Sequence, residues 1–141
     1  INSLIEASVK FSFKLNIGCP KNYAPNKTLL NWAKKNKSKI RIFNDSQTAA
    51  NGSDVIFTDK VISMNDKVNK AKKLKEFKNF QVNSKVMRCA KKDAIFLHCL
   101  PRGSEVSKDV FLSNKSKVWQ QALNRIYVQK SILLYCFNKL R

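Results

Sequence analysis

The sequence predicts an α/β domain built on a central parallel sheet, and three observations predict it. Short apolar, β-rich runs alternate with longer helical patterns along the chain, the order that produces βαβ crossovers. The strand candidates are near-continuous apolar runs rather than alternating ones, which suits a sheet covered on both faces. The 141 residues, 43% hydrophobic and 10% aromatic, suffice for one domain with a core of its own.

The elements follow in order. Leu4, Ile5, Ser8 and Phe11 fall three to four apart and open the chain on a helical pattern. With no initiator methionine before that pattern, the chain is expected to continue upstream. Phe13 to Ile17 reads as a strand, Asn26 to Lys37 as a helix with Leu29, Leu30 and Ala33 on one face, and Ile40 to Phe43 as a second strand. A short helix near Gln47 to Asn51 precedes a third strand, Val55 to Phe57. Asn65 to Phe80 is rich in lysine and carries only Val68, Ala71, Leu74 and Phe77 as an apolar stripe, the pattern of an exposed amphipathic helix or a mobile lid. A helix within Val82 to Ala90 and a strand from Ala94 to Leu97 come next. The last helix, Asn124 to Leu140, places Ile126, Leu133, Phe137 and Leu140 on one side with Ile132 and Cys136 beside them. That wide stripe either packs on this domain's own sheet or covers a domain outside this chain. The expected whole is a Rossmann-like, three-layer sandwich in a single domain.

Composition narrows the function classes. No apolar run approaches the ~20 residues of a membrane span, and the first residues lack the pattern of a signal peptide; a soluble, cytoplasmic protein is expected. The formal charge of +19 comes from 28 Lys and Arg against nine Asp and Glu, which raises nucleic acid as a partner. The lysines are scattered, however, without the interleaved aromatics that stack on bases. Solvated helix faces are the expected outcome, with salt-sensitive binding to polyanions left open. Cys19, Cys89, Cys99 and Cys136 form no C-x-x-C pair, and His98 is the single histidine, so neither a zinc site nor a disulfide is expected. Three glycines form no phosphate-binding motif. No metal and no cofactor are expected.

In an open parallel sheet, ligands bind outside the carboxyl ends of the strands. Two loops stand there: Thr58-Asp59-Lys60-Val61-Ile62-Ser63-Met64-Asn65, and His98-Cys99-Leu100-Pro101-Arg102-Gly103. If their strands are parallel, Asp59 and Ser63 converge with Cys99 and Arg102 at one edge. Simpler roles stand beside that one. Asp59 and Ser63 can cap turns, His98 and Cys99 can be half-buried strand ends, and Pro101 can simply turn the loop.

The strings themselves add to this. His98 to Gly103, with Glu105-Val106 and the later Asn124-Arg125-Ile126 and Gln129-Lys130, resembles the ornithine carbamoyltransferase signature H-C-L-P-R-G-x-E-V followed by N-R-x-x-x-Q-K. Asp59 to Met64 is similar to that family's D-x-x-x-S-M ornithine loop. The aspartate-specific relatives carry proline where Cys99 stands, so Cys99 points to the ornithine branch. The resemblance runs from Ile1 to Leu140. It implies an amino-acid-binding C-terminal domain, with the S-T-R-T-R phosphate loop and the H-P-x-Q segment in an N-terminal domain not present here.

Carried over by residue, the resemblance implies that Asp59 accepts the α-ammonium of L-ornithine, while the Ser63 hydroxyl and the Met64 backbone contact its amino-acid end. Cys99, flanked by His98 and with the Leu100 carbonyl, would lie beside the δ-amine and the carbamoyl group of carbamoyl phosphate, and Arg125 would reach the carbamoyl oxygen. An amine must lose its proton to attack, and an oxygen gaining charge needs a preorganised cation. The family also implies a homotrimer at full length. Val61 and Asn65 depart from its usual tryptophan and glycine, and Leu123 and Tyr127 from its common glutamate and histidine. A basic nucleic-acid-binding module and a diverged, non-catalytic paralogue are the alternative functions.

Overall fold

The computed structural model describes residues 1–62 and 69–138. Helix α1 (Asn2–Lys10) leads into β1 (Lys14–Gly18), then α2 (Lys27–Lys35), β2 (Lys39–Phe43), α3 (Ser46–Ala50) and β3 (Val55–Thr58). After the segment outside the described residues come α4 (Lys70–Phe77), α5 (Ser84–Cys89), β4 (Ile95–His98), α6 (Lys108–Phe111) and α7 (Val118–Cys136). The four predicted strands are all present, each within one or two residues of its expected ends. Four helix starts are set by side-chain caps. The carboxamide oxygens of Asn26, Asn69 and Asn83 and the carboxylate of Asp45 accept backbone N–H groups of the first turns of α2, α4, α5 and α3, each worth about 1 kcal/mol.

All strand pairing is parallel, as predicted. Lys14 to Gly18 pair with Lys39 to Phe43, and Val55 to Thr58 pair with Ile95 to His98. The pairing forms two two-stranded sheets rather than one continuous ladder. Between them opens a groove of about 1080 Å3, lined by Leu4, Leu15, Ile17, Val55, Phe57 and Leu97 among others.

Alternation along β1 separates two helix layers. Ile17, with Leu15 beside it, packs with Ile5 of α1 and Ala33 of α2. Asn16 and Gly18 turn the other way, toward α3: Asn16 Nδ2 donates to the Ala49 carbonyl at 3.0 Å. A Cβ on Gly18 would stand 3.1 Å from the Ala49 Cβ, so glycine permits this close helix approach. The larger core gathers Ile56 and Phe96 from β3 and β4 against Val86 and Met87 of α5, Val110 and Phe111 of α6, and Val106 and Val118. The opposite face of β3 is thinly covered, with Val55 46% and Phe57 39% exposed. The expectation of a sheet covered on both faces therefore holds for β1 and fails for β3, whose outer side borders the groove.

Within the described residues the lysine-rich segment is helical, as α4 with a 3-10 turn at Lys78–Phe80; its residues 65–68 lie outside them. Its Phe77 packs edge-on against Tyr23, ring centroids 4.9 Å apart. The last helix begins at Val118, six residues before the predicted start. Val118 is fully buried, but most of the helix beyond it is exposed. Among the described residues, no helix is long and apolar enough to cross a membrane.

Candidate active site

Parallel pairing decides where the chemistry gathers. Thr58 and His98 are partners at the ends of β3 and β4, so the next residues, Asp59 and Cys99, emerge side by side from the carboxyl edge. The Cys99 thiol donates to Asp59 Oδ1 at 3.0 Å, and the Lys60 N–H donates to the same oxygen at 2.7 Å.

Each group shapes the other's protonation. Partial burial works to raise the Asp59 pKa, but the Cys99 thiol and the Lys60 N–H outweigh it, and the carboxyl sits below its ordinary range. Burial pushes the Cys99 thiol up, and the hydrogen bond to Asp59 and its negative charge push it further. At neutral pH the pair is a carboxylate accepting from a protonated thiol. That arrangement can bind and orient an amine, and it does not present a ready thiolate nucleophile.

The same alternation turns His98 the other way. Phe96 and His98 share the buried face of β4, and the imidazole is 1% exposed, edge-on to Phe111 at 6.3 Å. Its Nδ1 accepts from the Leu100 N–H at 2.9 Å, so Nε2 carries the ring hydrogen and donates to Glu105 Oε1 at 2.8 Å. Glu105 Oε1 also accepts the Gly103 N–H at 2.5 Å. Both ring nitrogens are engaged beneath the loop. His98 was expected to flank the reacting groups, yet its ring is held out of reach of a ligand lying on Cys99. It shapes the turn instead: a cis Leu100–Pro101 bond, with Leu100 at φ 52°.

Arg102, expected to converge with Asp59 and Cys99, also turns away. Its Nη1 donates to the Val106 carbonyl at 3.2 Å, and its guanidinium lies 5.8 Å from the Phe111 ring centre. Leu100 packs against the larger core. Arg125 is exposed on α7, and among the described residues no hydrogen bond or ion pair holds its guanidinium. Ser63 and Met64 lie outside the described residues, as does Asn65. Among the described residues no cluster of His, Cys, Asp and Glu could hold a metal ion.

Two contributors were not assigned a role from the sequence. Glu105 stood inside the quoted motif, and only the fold shows that it carries the loop's buried hydrogen bonds. Gln121 of α7 accepts the His98 N–H through Oε1 at 3.0 Å; its spacing four residues before Arg125 was the available signal.

Residues 1–136 match the family described as aspartate/ornithine carbamoyltransferase, Asp/Orn binding domain. The chain belongs to that family. It is 42% identical over 137 residues to the ornithine carbamoyltransferase of Prochlorococcus marinus strain MIT 9312, covering 94% of this chain and 44% of that protein. The anabolic ornithine carbamoyltransferase from Campylobacter jejuni superposes with a TM-score of 0.90 at 36% identity, over 99% of this chain and 48% of the other. Ornithine transcarbamoylase from Giardia lamblia superposes with a TM-score of 0.88 at 26% identity, over 99% and 47%. The chain thus spans about half the length of the carbamoyltransferases it matches.

Proposed function

We propose that this chain is the ornithine-binding half of an ornithine carbamoyltransferase, which transfers the carbamoyl group of carbamoyl phosphate to the δ-amine of L-ornithine, giving L-citrulline and phosphate. The observation that carries the reading is the Cys99–Asp59 hydrogen bond at the carboxyl edge of a parallel pair, with cysteine standing where aspartate-specific relatives have proline. Asp59 is the charged partner for the α-ammonium, helped by Ser63 and Met64. The Cys99 sulfur and the Leu100 carbonyl orient the δ-amine. The amine lone pair attacks the carbamoyl carbon, Arg125 stabilises the charge gathering on the carbamoyl oxygen, and phosphate departs with the electron pair of its bond. The attacking nitrogen gives up a proton as the new bond forms, and the departing phosphate accepts it.

The phosphate-binding residues belong to an N-terminal half in this reading. The exposed apolar side chains of α7, Ile126, Tyr127, Leu133 and Phe137, each more than half exposed, support a seat for that half. Large apolar side chains left open together along one helix are the mark of an interaction surface. The complete enzyme is a homotrimer in the cytoplasm and uses neither metal nor cofactor.

Citrulline formation tests the reading, with this chain alone and with the chain joined to the carbamoyl-phosphate-binding half of a close relative. Activity in the joined protein alone, largely lost with Arg125→Ala, is the expected result. Silence from a folded, joined protein would instead favour a diverged, non-catalytic paralogue.

A further inference from the structure

The edge of β4 away from β3 carries a short parallel bridge to the segment that leads into α7. Phe96 N–H donates to the Lys115 carbonyl at 2.9 Å, and Lys117 N–H donates to the Phe96 carbonyl at 2.9 Å. In a parallel ladder the next bond runs from His98 N–H to the Lys117 carbonyl. That carbonyl is already used, because Lys117 is the N-cap of α7 and accepts the Gln121 N–H at 2.8 Å. An N–H left unpaired there, only partly reached by water, would be costly. The Gln121 side chain supplies the missing acceptor, its Oε1 3.0 Å from the His98 nitrogen. One residue takes the carbonyl with its backbone and replaces it with its side chain.

Resting on the functional reading above, we propose that Gln121 is a positioning residue that holds α7, and with it Arg125, in register with the Cys99 loop. Residues four apart share a helix face, so Arg125 stands just over one turn, about 6 Å, along the axis from Gln121. His98 immediately precedes Cys99. The Gln121–His98 hydrogen bond therefore extends the two backbone bonds at Phe96 into α7 itself, tying the element that carries the guanidinium to the element that carries the thiol. These groups must close on one carbamoyl group from different elements, and a misplacement of about 1 Å can cost a hundredfold in rate. Gln121 lies outside the strings that carry the family resemblance.

The test uses the joined enzyme. Gln121→Met keeps the length of the side chain and removes the acceptor, while Gln121→Glu keeps an acceptor in place. Gln121→Met is expected to lower kcat about ten- to a hundredfold with KM for ornithine within about twofold, and Gln121→Glu to recover most of the loss. In an Arg125→Ala background, Gln121→Met should add nothing, because the residue acts through Arg125; a merely structural loss would add its full factor there. Gln121→Asn, one methylene shorter, takes the place of the Met variant if that variant does not fold, with the same expectations. The contact itself is read in the 141-residue chain by hydrogen exchange at the His98 amide, expected at least about tenfold faster in the variant. An unmutated joined enzyme that makes no citrulline overturns the functional reading and this proposal together. An active one in which Gln121→Met keeps full kcat, or in which the two losses add, overturns this proposal alone.

Discussion

The Cys99 thiol and the Asp59 carboxylate, from loops that follow two paired strands, meet in a hydrogen bond of 3.0 Å. Its first consequence is for titration. The thiol pKa is raised and the carboxyl pKa lowered. The fold's preference for the Asp59 carboxylate is present above the ordinary aspartate range and is lost as pH falls through the depressed folded value. The preference for the protonated thiol is present below the ordinary thiol range and is lost as pH rises through the raised one. Alkylation of Cys99 by iodoacetamide should therefore reach its midpoint at higher pH than for a free cysteine. Asp59→Asn removes the charge and should move that midpoint down; an unmoved midpoint would separate the two residues.

Serine at position 99 can still donate to Asp59, but its smaller, harder oxygen is a poorer fit for orienting the δ-amine. In the joined enzyme, Cys99→Ser should lower kcat by about tenfold or more, with KM for carbamoyl phosphate little changed. Full turnover by the serine enzyme would remove Cys99 from the mechanism.

Glu105 is 5% exposed and receives both His98 Nε2–H and Gly103 N–H. Glu105→Ala leaves the buried His98 donor without that acceptor, at about 1–3 kcal/mol, and the part-buried Gly103 N–H loses it too. The urea midpoint of the chain should fall clearly for Ala and less for Gln, which keeps an oxygen acceptor. A midpoint equal to the parent's in Glu105→Ala would show that the loop does not depend on this carboxylate.

The net charge of +19 predicts retention on a polyanion such as heparin. Because the lysines are dispersed, that binding should fall steeply with salt and show no preference among DNA sequences. Affinity that persisted above physiological salt with a sequence preference would displace the enzyme reading as the main function.

The places where sequence and structure part follow from how each signal arises. The strands were legible because their apolar residues recur at every second position or closer over a short run, and the start of α2 because Asn26 is a local cap. Helix α6, only Lys108–Phe111, is too short to show a 3.6-residue period. The first turns of α7 show no stripe because Val118 alone among that helix's residues is buried; the helix was found only where its apolar side chains recur. The facing of His98 was missed because a motif gives the order of residues and not the side each one takes.

The sequence by itself determined the α/β class, the parallel strands, the two loops that carry Asp59 and Cys99, and the family to which their motifs belong. These are properties of local pattern, where periodicity, caps and residue order carry the information. Tertiary structure alone decided that the strands pair in two sheets, that Asp59 and Cys99 touch, that His98 turns inward and Arg102 toward Val106 and Phe111, and that Gln121 completes the edge of β4. Each of those depends on contacts between residues distant along the chain, and such contacts exist only once the core has formed.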